Sequence, residues 1–382
     1  MRFLLFISLF LLFACKSNTS NKQGDSPSSS LPIEPACNKS LNKSSVDKPT
    51  GIFTSVITSG AVTNPTINGG LIRVTWAELE TSPGVFDFSS INEQIALLPE
   101  GKKWSLGVHG GWSSVDLDDP DLYDGTTYPD GSPRPTIGLN MVPPWLVSTY
   151  NVETFTMAFR SVTVEMPKYW DINLQSRLNI MLQALATEYK SNSDLQLVYV
   201  PQMTSNGLEG HFNGVDQSTL ISAAGVNPLE TDAPEQFEDV WVQAALDATE
   251  ITAQAFDNKA IAFEVHEVID RVSIPQRIMD AFLSNMVFEN RVGIGMWWIS
   301  GGTTYQPDLV KAIKNYEGDL YGQIIGNSSQ PSRFLDDDYT SVFTQAKELC
   351  MRYIEPWNYE FENNTFDEAM NDFNTFSNSS FE

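Results

Sequence analysis

Basic side chains are scarce. Only 23 Lys and Arg stand against 48 Asp and Glu, a formal net charge of −25. With no basic stripe to neutralise phosphates, nucleic acid is excluded as a partner. The acidity itself reads as a solubility device. No glycine-rich G-x-G-x-x-G follows an early strand, which argues against a dinucleotide fold. The apolar run at the start of the chain, Phe3 to Ala14, is too short to cross a bilayer. Histidine and cysteine are rare, at three each, and neither H-x-H nor H-E-x-x-H occurs. What the chain has in quantity is apolar and aromatic surface: 41% hydrophobic residues and nine Trp. That is ample for one large α/β domain.

The first 14 residues read as an export signal, with Arg2 ahead of the apolar stretch. Leu12-Phe13-Ala14-Cys15 resembles the lipobox of bacterial lipoproteins. The resemblance implies a lipidated Cys15 and an anchor at a bacterial membrane, periplasmic or cell-surface, without a span. Residues 15–49 are rich in Ser, Asn, Lys and Pro and read as a flexible tether. Cys37 precedes the first expected strand and Cys350 the last. In a closed barrel those strands are neighbours, so both cysteines fall at one end, where an exported chain can join them.

From residue 50 to 360 short β-rich runs alternate with helical patterns. The runs are Ile52–Thr58, Leu71–Trp76, Lys103–His109, Leu197–Val200, Ala260–His266, Val292–Ser300, Leu320–Ile325 and Met351–Trp357. Eight strands with helices in most of the gaps predict a (β/α)8 TIM barrel of the α/β class. A long insertion, about Trp112–Asp171, carries Asp116, Asp118, Asp119, Asp121 and Asp124. Their spacing matches no EF-hand loop, so the segment reads as a solvated acidic loop. Residues 361–382 read as an acidic tail, frayed or packed outside the barrel.

Barrel chemistry gathers at the carboxyl ends of the strands. His109, His211 and His266 all fall there, and so do Glu209, Glu264, Glu267 and Glu355. An acid inside a predominantly apolar strand is costly unless paired or used. In strand five, alternation puts Glu264 and His266 on one face; an ion pair with Arg73 is the structural alternative for Glu264. Three converging histidines are compatible with a metal site, but sugar hydrogen bonding is the stronger reading. The site is therefore expected to hold no metal and no cofactor. Trp76, Trp112, Trp145, Trp170, Trp297, Trp298 and Trp357 cluster near the same rim, where indole faces stack on sugar rings; core packing claims at least two of them.

Gly69–Ser90, GGLIRVTWAELETSPGVFDFSS, resembles the second strand and following turn of β-galactosidase-like barrel glycosidases of clan A, related to glycoside hydrolase family 42. Weaker likenesses extend to about residue 210. The resemblance implies a glycoside hydrolase of polysaccharides or oligosaccharides, with Arg73 near the catalytic carboxylates and Glu209 as the acid/base after strand four. Two departures stand out. The clan places Asn directly before that Glu, whereas Asn206 is separated from Glu209 by Gly207 and Leu208. The clan's nucleophile ends strand seven, yet Tyr321–Gln330 holds no Glu. The expected assignment is Glu209 protonating the leaving oxygen, its pKa raised by an apolar wall, and Glu264 as nucleophile or general base, with Glu267 and Glu355 in reserve. Arg73, Trp76, His109, Trp112, His211, His266, Glu267, Trp298 and Glu355 are expected to line the substrate. A non-catalytic carbohydrate-binding barrel is the alternative.

Overall fold

The computed structural model describes residue 37 and residues 46–112, 136–159, 162–212, 214–288 and 290–381. The signal, Cys15, most of the tether and Asp116, Asp118, Asp119, Asp121 and Asp124 lie outside the described residues. No helix among the described residues is long and apolar enough to cross a membrane.

Eight parallel strands close a barrel: β1 (Gly51–Thr54), β2 (Gly69–Thr75), β3 (Lys103–His109), β4 (Leu195–Tyr199), β5 (Ala260–Glu264), β6 (Val292–Ile299), β7 (Leu320–Ile324) and β8 (Tyr353–Glu355). Sequential strands pair throughout, and β8 pairs back onto β1 through Gly51↔Tyr353. Period-two alternation splits the apolar residues into two cores. One fills the lumen: Phe53, Leu71, Leu197, Tyr199, Ala260, Ala262, Trp297, Tyr321 and Tyr353, capped by Leu208. The larger core lies between the sheet and the helices.

Helices α1 (Ser89–Leu97), α2 (Ile172–Tyr189), α3 (Ala233–Ala255), α4 (Ser273–Ser284), α5 (Pro307–Asn315) and α6 (Ser341–Glu348) fill gaps between strands. α2 shows why the sequence folds this way. Leu174, Leu178, Met181, Leu182 and Leu185 recur on one face and are buried. Asp171 Oδ1 accepts the Leu174 N–H at 2.9 Å, capping the first turn. The long insertion is partly ordered secondary structure: a short helix, Trp145–Tyr150, and an antiparallel hairpin of Thr154–Phe159 with Val162–Pro167.

Of the two expectations for the last residues, frayed or packed outside the barrel, the structure has the packed one. Asp367–Phe381 forms a helix, α7, with Met370, Phe373 and Phe376 buried. Asn374 Oδ1 accepts the Ile52 N–H at 2.8 Å, and Ser377 Oγ accepts that of Gly51 at 3.0 Å. These bonds fasten α7 across the amino end of β1. Its apolar residues, three apart, are masked in the sequence by Asn and acidic neighbours. Cys37 and Cys350 are disulfide-bonded, with Cα atoms 5.7 Å apart. The bond ties the residues before β1 to the approach to β8.

Candidate active site

The barrel mouth is organised by the loop that leaves β4. Asn206 (φ 69°) and Gly207 (φ 76°) both adopt left-handed backbone. At Gly207 a Cβ would lie 2.1 Å from the Gly110 carbonyl oxygen, so only glycine fits. Gly110 N–H donates to the Gly207 carbonyl at 3.1 Å, and the Gln202 amide donates to the carbonyls of Leu208 (2.9 Å) and Glu264 (2.8 Å). Held from both sides, the turn fixes Glu209 and His211 at the barrel mouth.

Glu209 and His211 form one unit, with Glu209 Oε2 2.8 Å from His211 Nε2. The tight turn also returns Asn206, whose amide donates to Glu209 Oε1 at 3.4 Å. The Glu209 side chain keeps 25% of its surface exposed. Burial pushes its carboxyl up, but the hydrogen bond and charge of His211, with Arg73 behind, outweigh that and hold it below the ordinary value. This corrects the expected raised pKa of a proton donor: an imidazole and a guanidinium stand beside the carboxyl, not a wall of indoles. His211 answers in the opposite sense: burial lowers it, and the Glu209 bond and charge raise it overall.

Glu264 does not face the opening. Its side chain is 1% exposed, and both oxygens accept backbone N–H groups, from Gly210 at 2.6 Å and Trp297 at 3.1 Å. Gly210 lies between Glu209 and His211, so Glu264 is the clamp beneath their turn. Burial first, then the Glu209 charge, push its carboxyl well above the ordinary range. His266 sits beside it, with Nε2 3.3 Å from Glu264 Oε1. Burial and the charge of His211 press His266 well below its ordinary value, so the ring is neutral. The two imidazoles meet edge to face, 4.7 Å between centroids. Glu209, His211 and His266 each offer an atom able to ligate a metal, all within 4.8 Å of one another.

Arg73, His109 and Glu355 lie deeper. Arg73 is stacked over Trp297, 5.2 Å from its centroid, and Nε and Nη2 have no hydrogen-bond partner. Burial lowers the guanidinium's pKa against the raising charges of Glu355 and Glu209. His109 Nδ1 is 2.7 Å from the Asn206 carbonyl, an acceptor, so Nδ1 carries the proton. Burial and the Arg73 charge bring its pKa to about 4. Glu355 is buried, bonded by the hydroxyls of Tyr199 (3.1 Å) and Tyr353 and by the Gln323 amide (2.6 Å).

Burial pushes the Glu355 carboxyl up to about 7, against the lowering by Tyr353, Arg73, Gln323 and Tyr199. Below the unfolded value near 4.5 the group is protonated in both states, and above about 7 it is ionised in both. Between them only the folded state holds the proton, so stability falls as pH rises through that window. The loss totals roughly 3 kcal/mol, at ~1.4 kcal/mol per pKa unit. Glu355→Gln removes it. The variant is expected to gain thermal stability over the parent at pH 8 and little at pH 4.5, as scanning calorimetry reads; an equal offset at both pH values refutes the assignment.

The indoles divide differently from the rim expected. Trp76 and Trp112 are fully buried, Trp76 Nε1 donating to Glu80 Oε2 at 2.9 Å and Trp112 packing on Phe159 at 4.9 Å. Trp298 is 3% exposed, its Nε1 donating to the Val265 carbonyl at 3.3 Å. All three are packed into the walls of the barrel mouth. Trp357 Nε1 is likewise committed, to the Ile324 carbonyl at 2.7 Å. An open space lies beside His211, a cavity of about 710 Å³ between the loops after β4, β5 and β6. Glu267, Asp216, Asp270, Tyr305 and Gln306 line it. Burial and the charges of Asp308 and Asp270 raise the Glu267 carboxyl. Tyr305 and Gln306 went unmarked in the sequence, since a Thr-Tyr-Gln-Pro loop carries no signal of its own.

No family model and no curated protein matches the chain. Among solved structures it is similar to endo-glycoceramidase II from Rhodococcus sp. as a lactosyl-enzyme intermediate, at 12% identity over 81% of this chain and 73% of that one, TM-score 0.41. It is also similar to a psychrophilic glycoside hydrolase family 10 endo-β-1,4-xylanase, at 14% identity over 81% and 86%, TM-score 0.42. A third is xylanase XynB from Paenibacillus barcinonensis, at 12% over 81% and 84%, TM-score 0.39. These likenesses are distant, and the fold rests on the barrel's own closed strand pairing.

Proposed function

We propose that the chain is a glycoside hydrolase of polysaccharides or oligosaccharides, centred on Glu209. The observation that carries this reading is a quarter-exposed carboxylate after β4, held by Asn206 and by His211, which itself lines a cavity of about 710 Å³. Glycoside hydrolysis needs two carboxyl groups flanking the scissile bond. Glu264 and Glu355 are buried, and their oxygens are taken by N–H and O–H donors. Of the carboxylates on the cavity wall, Glu267, Asp216 and Asp270, Glu267 is taken as the second because burial raises its carboxyl in the direction a proton donor needs. In this reading Glu209, paired with His211, faces the anomeric carbon or activates water, and Glu267 donates the proton to the leaving oxygen. Glu264 positions the turn, and Tyr305 supplies an aromatic face. The substrate is reached from a membrane to which a lipidated Cys15 anchors the chain; Cys15→Ser is expected to move the protein out of the membrane fraction, and retention there refutes the anchor.

A sugar-capture barrel without turnover is the second reading. What favours it is β7, where Gln323 takes the lumen position and donates to Glu355 Oε2. Incubating the purified chain with plant, algal and microbial polysaccharides separates the two. New reducing ends support the hydrolase. Retained binding in a pull-down without any products replaces it with the capture protein.

A further inference from the structure

Beyond the hydrolase reading, we infer that Glu209, His211 and His266 form a binding site for one divalent transition-metal ion, zinc by its ligand chemistry. Two imidazoles and a carboxylate, with no thiolate, are a donor set that suits zinc, with a fourth position left to water. The ligand atoms lie within 4.8 Å of one another. Bound zinc, at ~2.0–2.2 Å from each ligand, sets them roughly 3.4 Å apart, so the widest pair closes by about 1.4 Å. Glu209 Oε2 and His211 Nε2 are already closer than that, at 2.8 Å, sharing a proton the ion displaces.

A second observation points the same way. His266 Nε2 is buried, in a ring 3% exposed, and makes no hydrogen bond. Its separation of 3.3 Å from Glu264 Oε1 lacks hydrogen-bond geometry. A polar atom buried this way forfeits its water without compensation, and a metal ion supplies a partner.

Gln306 sets the cost of loading and gives the test. Its Oε1 accepts the Glu267 N–H at 2.9 Å, so its amide nitrogen is the atom 3.0 Å from His266 Nδ1. That network assigns the imidazole proton to Nε2. With Nε2, the nitrogen left without a hydrogen bond, as the ligating atom, metal binding moves the proton to Nδ1 and asks the Gln306 amide to turn over, giving up its bond from Glu267. A glutamate at this position accepts from both groups at once. It holds His266 in the ligating tautomer, as carboxylate partners of metal-bound histidines do.

Equilibrium dialysis of the full chain against Zn²⁺, with Co²⁺ as a spectroscopic probe, tests the site without reference to any glycan. The expected result is one ion per chain, with visible cobalt bands of four- or five-coordinate geometry. His266→Gln is expected to weaken binding at least tenfold, and Gln306→Glu to tighten it about tenfold. The Gln306→Glu gain keeps the test sharp if His266→Gln disturbs folding. No ion retained, His266→Gln binding like the parent, or Gln306→Glu binding no tighter overturns the site. An ion on Glu209 takes the oxygen that the hydrolase reading uses. On that reading zinc lowers glycan hydrolysis and chelator restores it. Ion retained by a chain inactive on every glycan refutes the hydrolase and leaves the site standing.

Discussion

Glu209→Gln is expected to lower hydrolysis of the best glycan by about 10²–10⁴-fold, the usual contribution of a positioned acid–base group, with glycan binding retained. The amide keeps the shape of the side chain and can still meet Asn206 and His211, but it neither attacks an anomeric carbon nor takes a proton. Because a quarter of the side chain is exposed, the fold is expected to tolerate the change. Glu264→Gln gives a different pattern. Each Glu264 oxygen accepts a backbone N–H, so one of Gly210 and Trp297 is left facing an NH₂ group. That variant is expected to lose roughly 1–3 kcal/mol of stability along with activity, the cost of a buried donor without a partner. Glu267→Gln is expected to lose activity with stability unchanged. Progress curves with chelator present, beside urea melts of the three variants, separate these outcomes. Glu209→Gln with more than half the parent activity refutes the assignment.

The barrel was legible because each strand is a short β-branched or aromatic run and each helix a 3.6-residue pattern, and both periods survive in sequence. Leu174, Leu178, Met181 and Leu185 announce α2 without help from any partner. For residues 361–382 the sequence left fraying and outside packing open, because composition hid the spacing: Met370, Phe373 and Phe376 sit in a stretch dominated by Asn and acids, yet they are buried.

At the site, residue types at strand ends identified Glu209, His211, Glu264 and His266 as neighbours. What the sequence could not carry was direction. Glu264 and His266 share a strand face with the lumen, but whether a carboxylate there meets solvent or backbone depends on Gly210 and Trp297, 54 and 33 residues away in the chain. Glu355 presents the same problem, its oxygens closed off by Tyr199, Gln323 and Tyr353 from three strands. Trp76 shows the limit most plainly. Its place after β2 suggested a rim platform, but the indole turns back into the core to meet Glu80.

Glu80→Ala is expected to destabilise the fold by roughly 3–5 kcal/mol, the cost of stranding one member of a buried ion pair. Glu80 belongs to the stretch that resembles the glycosidases, yet its side chain is 0% exposed and serves the scaffold. Oε1 accepts from Arg177 and from the Gly84 N–H at 2.8 Å, and Oε2 from Trp76 Nε1 at 2.9 Å. Arg177, 7% exposed, projects from α2 and is stacked on Tyr150 and Trp145 at 4.5 and 5.3 Å. One carboxylate thus ties the turn after β2 to α2, and the stacked guanidinium brings in the helix of the insertion. Removing it leaves a buried guanidinium and a buried Trp76 indole N–H without an acceptor, while the exposed Gly84 N–H turns to water. Arg177→Met in the Glu80→Ala background removes the stranded charge and is expected to recover part of the loss, because an apolar side chain of similar length suits the aromatic sandwich. Urea unfolding of parent, single and double variants measures the coupling. A double variant no more stable than Glu80→Ala would place the cost in the Trp76 and Gly84 hydrogen bonds rather than in the charge.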